Sequence, residues 1–80
     1  MARLTKEERE EVINVAEGAA LEASDRIPYP VRFKQREKEG QERILEDLRR
    51  VWVLGRASRK LRGLDPGQTW GEFKKQRLAE

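Results

Sequence analysis

Between residues 44 and 61 the chain runs ILEDLRRVWVLGRASRKL, and this stretch constrains the fold more than any other. Laid out at about 100° per residue, Ile44, Leu45, Leu48, Val51, Trp52 and Gly55 share one face of a helix. Leu54, Ala57 and Leu61 form a second stripe, offset by roughly a third of a turn. The stripes meet at Val51, Trp52, Val53 and Leu54, where the turn is apolar almost all round. That is the pattern of a helix walled in on two sides. Taken alone, VWVL also fits a short buried strand. The flanks keep helical period and no second strand is available to pair with it, so a central helix at about residues 41–62 is expected. The predicted fold is all-α: a single domain of three helices, or four if Gly40 separates two, around that central one.

At 80 residues the chain buries only about 60% of its unfolded surface. Its core is therefore thin, and a partner or self-association is expected to help it. Charged residues make up 41%, against roughly 25% in an average soluble domain. They sit largely at helical spacing in helix-favouring residues, the pattern of a solvated helical surface and not of disorder.

The flanking segments follow helix grammar. Thr5 and Glu8 form a capping box, with Glu7, Glu8, Glu10 and Glu11 at the positive end of the helix dipole and Leu4 as a staple residue. Val12, Ile13, Val15, Ala16, Ala19, Ala20 and Ala23 continue a first helix from about residue 6 to residue 24. Its small side chains let another helix approach closely, and Gly18 is expected to serve the same packing. Residues 25–30, DRIPYP, end it, because Ile27 and Tyr29 each precede a proline and are pushed towards extended geometry. Residues 27–31 are the most apolar loop of the chain, expected to fold onto the core through Ile27 and Tyr29, with an exposed docking segment as the alternative. Pro30 suits the first position of a following helix. Gly40 is expected to break or bend the chain, leaving residues 31–39 as a separate short helix. Gly63, Leu64 and Pro66 stop the central helix, with Gly63 left-handed and Leu64 folded back. Thr69 and Glu72 repeat the capping box and open a last helix to Leu78, whose Trp70, Phe73 and Leu78 cover one end of the central helix. Glu80 is expected to fray.

Catalysis has little to work with. The chain holds no histidine and no cysteine, so imidazole acid/base chemistry, thiolate chemistry, disulfides and the common soft metal sites are excluded. The serine and threonine hydroxyls are Thr5, Ser24, Ser58 and Thr69, two of them already caps. Carboxylate neighbours such as Glu7 and Glu11 lie on solvated helix surface. Gly63, Gly67 and Gly71 match neither a phosphate-loop nor a dinucleotide spacing. We expect no enzyme, no cofactor and no metal site. The first residues lack the apolar stretch of a secretory signal, and no apolar run approaches a membrane span, so the expected location is cytoplasmic, away from membranes.

Binding remains, and charge ranks its modes. Residues 1–25 carry three bases against seven acids, net −4, whereas residues 26–80 carry fifteen bases against eight acids, net +7. Arg49, Arg56 and Lys60 lie within about 40° on the helical wheel, with Arg50, Arg59 and Arg62 beside them. Lys74, Lys75 and Arg77 form a second cluster. Arg59, Lys60 and Arg62 also suit the negative end of the central helix dipole. Together these nine residues are the candidate face for an anionic partner, and Tyr29, Trp70 and Phe73 are candidate anchors for a protein. A helix-turn-helix turn and an RNA-binding aromatic sheet motif are missing, so DNA or RNA contact rests on charge alone. Small, cysteine-free, charge-rich chains of this kind resemble phage- or mobile-element-encoded regulators and inhibitors, including anti-CRISPR proteins. The segment TWGEFKKQRL, residues 69–78, resembles the toxin-binding tails of antitoxins. Both resemblances imply a protein that docks on a larger protein or nucleoprotein complex, with a homodimer and a direct nucleic-acid contact as further expectations.

Overall fold

In the computed structural model, which describes residues 3–79, three helices follow one another: α1 (Lys6–Arg26), α2 (Lys38–Leu61) and α3 (Trp70–Leu78), with a 3-10 turn at Phe33–Gln35. Among the described residues there is no strand, so the VWVL run is helical and the fold is all-α as expected.

Helix α1 begins where its capping box places it. The Thr5 hydroxyl accepts the Glu8 amide at 3.1 Å, and the Thr5 amide donates to Glu8 Oε1 at 3.0 Å. The staple does not form: Leu4 stays 42% exposed, because the residue it would meet one turn on is Arg9. The helix runs two residues past Ser24, to Arg26, and ends at Ile27, which precedes Pro28 and is extended. Ile13, Ala16, Ala23 and Ile27 are its buried positions, spaced three, seven and four apart along one face.

Helices α1 and α2 pair antiparallel. Glu17 accepts from Ser58 Oγ at 3.0 Å and from Arg62, while Arg26 near the other end of α1 meets Asp47 at 3.2 Å. The apolar core sits at the closed end of this hairpin. Ile27, Val31, Ile44 and Leu48 are buried there, with Phe33, Val51, Trp70, Phe73 and Leu78 packed around them. Fully burying an aliphatic side chain of this kind contributes roughly 1.5–3 kcal/mol.

Four expectations for residues 27–40 are corrected. Residues 31–39 form no separate α-helix, since Lys38 and Glu39 already belong to α2, and Gly40 breaks nothing because it lies in the first turn of that helix. The interruption falls earlier, at Arg36 and Glu37, both extended. Arg36 donates to the carbonyls of Val31 (2.8 Å) and Pro30 (3.3 Å), and Gln41 donates to the Phe33 carbonyl at 2.8 Å. Side chains thereby satisfy backbone that a helix would have used. Pro30 opens no helix, because Arg32 two residues on adopts a left-handed conformation, φ 47°. The loop folds onto the core through Ile27 but not Tyr29, which is 66% exposed.

The VWVL turn is also less enclosed than its composition predicts. Val51, Trp52 and Leu54 are half-buried, and Val53 is 44% exposed. Only nine residues of α3 pack on one side of α2, and α1 lies on one other, so part of the circumference stays bare. Nor does Gly18 serve close packing: nothing stands within 4 Å of where its Cβ would be.

The stop after α2 is a Schellman motif. Gly63 (φ 75°) donates to the Lys60 carbonyl and Leu64 to the Arg59 carbonyl at 2.8 Å. Leu64 itself remains 58% exposed, so the turn closes on hydrogen bonds and not on an apolar fold-back. Glu80, expected to fray, lies outside the described residues.

Candidate functional site: a basic and aromatic face on α2 and α3

The turn after α2 carries the chain back, and the second capping box, Thr69 with Glu72, opens α3 beside Trp52. Three rings then form a row. Trp52 and Trp70 have centroids 5.7 Å apart at 50°, and Trp70 and Phe73 are stacked at 6.3 Å. Trp52 donates its indole N–H to the Gln68 carbonyl at 2.8 Å, and Arg56 donates to the same oxygen at 3.3 Å. One backbone oxygen thus fixes a ring and a guanidinium together.

Cations lie over these rings. Arg49 stands 5.7 Å from the Trp52 centroid and 5.3 Å from that of Trp70, and Arg56 lies 5.2 Å from Trp52. Lys74 is 6.0 Å from Trp70, and Arg77 is 4.9 Å from Phe73. Each such contact contributes about 0.5–1 kcal/mol where exposed and more where water is excluded. A guanidinium held over a ring still has N–H groups to offer an anion, and holding it in place lowers the ordering cost of binding.

Between α2 and α3 runs a groove of about 560 Å³, bordered by Trp52, Arg56, Arg59, Gly67, Phe73 and Arg77 among others, with no acidic residue in its lining. The two carboxylates on the connecting segment and the start of α3 are engaged locally. Asp65 accepts the Gly67 amide at 2.7 Å, and Glu72 accepts from the Thr69 amide and hydroxyl. The three guanidiniums of the groove therefore face no carboxylate across it.

The predicted face is thus divided. Arg49, Arg56, Lys74 and Arg77 gather on the aromatic row, and Arg59 lies over Gly67, whose Cβ would stand 3.0 Å from its Nη1. Arg50, Lys60 and Lys75 point elsewhere and are exposed, Arg50 in a loose 3.8 Å pair with Glu46. Arg62 is drawn to Glu17 and belongs to the α1/α2 packing. Of the protein-contact candidates, Trp70 and Phe73 are half-buried as the base of the cationic layer, while Tyr29 stands alone on the 27–30 loop.

Sequence reasoning missed Trp52 as the centre of the site. The signal was present, since Arg49 and Arg56 stand three before and four after it, the two spacings that bring side chains together on a helix. Among the described residues no group of histidine, cysteine or carboxylate side chains is placed to hold a metal ion, and no helix is long and apolar enough to cross a membrane. The arrangement defines a small three-helix protein with a cationic, aromatic groove. No protein-family model matches the chain, nor does any curated protein or solved structure.

Proposed function

We propose that this is a non-enzymatic binding protein that sets its α2/α3 face on an anionic surface of a larger protein or nucleoprotein partner and acts by occupying it. Such action is that of the small phage- and mobile-element regulators and inhibitors its composition resembles. The observation that carries the reading is the pair of guanidiniums, Arg56 and Arg77, held over rings along an open groove whose lining holds no carboxylate. Stacked arginines and tryptophans are the residue types that concentrate binding energy at interfaces.

Direct binding of DNA or RNA is the second reading, favoured by the acid-free lining of the same groove. Titration against duplex and single strands across a salt series separates the two. Nucleic-acid binding would weaken steeply with salt, and Arg56→Glu with Arg77→Glu would flatten that dependence. Under the first reading, strands bind weakly even at low salt. The same double reversal then abolishes capture of a partner that the wild-type chain retains. If the reversed chain, still helical, captures that partner unchanged, the face is not the contact.

A further inference from the structure

On the side of α2 away from α3, the α1/α2 hairpin carries an apolar strip that none of the other described residues covers. Val12 (43% exposed), Val15 (67% exposed) and half-buried Ala19 share one side of α1 with Arg26, all within about 60° on the wheel. Leu54 and Leu61 lie within about 40° of Asp47 on α2, and Ala57 and Val53 continue outward from them. The Arg26–Asp47 ion pair joins the edges of these two sets, so they form one surface across both helices. Trp52 lies about half a turn round α2 from Leu61, which puts the aromatic groove on the opposite side.

We infer that this strip is closed by a second copy of the chain, two hairpins packing face to face about a two-fold axis along the helices. Four observations converge on that occupant. The chain exposes 6424 Å², against about 5,000 Å² for a folded monomer of its mass. The excess of about 1,400 Å² exceeds the roughly 800 Å² per partner that a stable interface of ordinary size removes. Its radius of gyration, 14.6 Å, is also larger than the roughly 11.6 Å of a globular chain of 80 residues, as a half-finished bundle would be. The small residues Ala19 and Ala57 let helices approach.

Charge supplies the fourth argument. Rotation about that axis lays α1 of one copy on α2 of the other, antiparallel. Within one chain residue 17 is level with 58 and residue 26 with 47, so Glu22 comes opposite the partner copy's stretch that carries Arg50 and Val53. Both are exposed: Glu22 lies on the outer margin of the α1 set, and Arg50 stands within the α2 set, between Leu61 and Ala57 on the wheel. The contact is self-complementary and forms twice per dimer. It does not depend on what the α2/α3 groove binds.

Sedimentation equilibrium or light scattering between about 5 and 500 µM, a span that resolves micromolar dissociation constants, tests it. The expected result is a dimer mass. Val15→Lys, at a position too exposed to disturb the monomer, should raise the dissociation constant at least tenfold with helical circular dichroism retained. Leu21→Lys, a third of a turn away on α1 and 66% exposed, should leave it unchanged. Glu22→Arg and Arg50→Glu should each weaken the dimer, and the double reversal should restore it. A monomer mass throughout, or a dimer that Val15→Lys leaves intact, overturns the interface. A double reversal that fails to rescue overturns the α1-on-α2 arrangement.

Discussion

Gly63 sits at φ 75° with nothing within 4 Å of where a Cβ would stand, so a side chain there meets backbone strain alone. Gly63→Ala should therefore lower stability by about 1–2 kcal/mol, the ordinary penalty for an L-residue in the left-handed region. Denaturant unfolding measures it, with helix content at the start unchanged. At the other end of the chain, Glu8 closes the first capping box. The Thr5 amide, and then the Thr5 hydroxyl, hold its carboxyl below the usual carboxylate range. A depressed native value means stability that is present above the unfolded-state value and lost as the pH falls through the folded one. The stability difference between wild type and Glu8→Gln should thus be constant at neutral pH and shrink as solutions are made acidic, in thermal melts at matched ionic strength. Arg32 at φ 47° is the opposite case to Gly63, a side-chain-bearing residue where glycine would be at ease.

Helix ends and faces were the legible part of the elements, because their causes are local. A threonine followed three residues later by glutamate stops being ambiguous once an apolar period follows it, and both capping boxes stand where that grammar puts them. Residues 31–39 were not legible. What keeps them from coiling is Arg36 reaching back to Val31 and Pro30, and Gln41 reaching to Phe33, bonds that helix propensity does not weigh. The site divides similarly. Arg49 and Arg56 on Trp52 follow from spacing within one helix, whereas Trp70 reaches Trp52 only because the turn at residues 62–69 reverses the chain. The loss of Arg62 to Glu17 spans 45 residues of sequence and has no local signature. Two outcomes belong at this scale. Gly18→Ala, in open space on α1, should add about 0.5–1 kcal/mol through helix propensity alone, read from the unfolding midpoint. Trp70→Ala removes a ring shared by Trp52, Phe73, Arg49 and Lys74, and should cost about 2–3 kcal/mol. The remaining Trp52 emission should shift to the red as α3 lifts away.

For the whole molecule the decisive quantities are surface and shape. Seven hydrophobic residues are buried among the described residues, and the Glu17–Ser58–Arg62 cluster adds a polar tie to the aliphatic contact that pairs α1 with α2. If two hairpins complete one another, the melting temperature should rise with protein concentration, because association draws the folded state forward by mass action. Differential scanning over about a hundredfold range of concentration would register it, and a flat profile would speak for a self-sufficient monomer. The stacked cations carry a different consequence. Arg49 and Arg56 fasten the last helix to the hairpin through the indoles, yet their outward N–H edges are what an anion would seize. A guest that takes those edges while the guanidiniums stay on their rings clamps the helix beneath it, so occupancy of the groove should slow amide exchange along residues 70–78 while the hairpin stays protected.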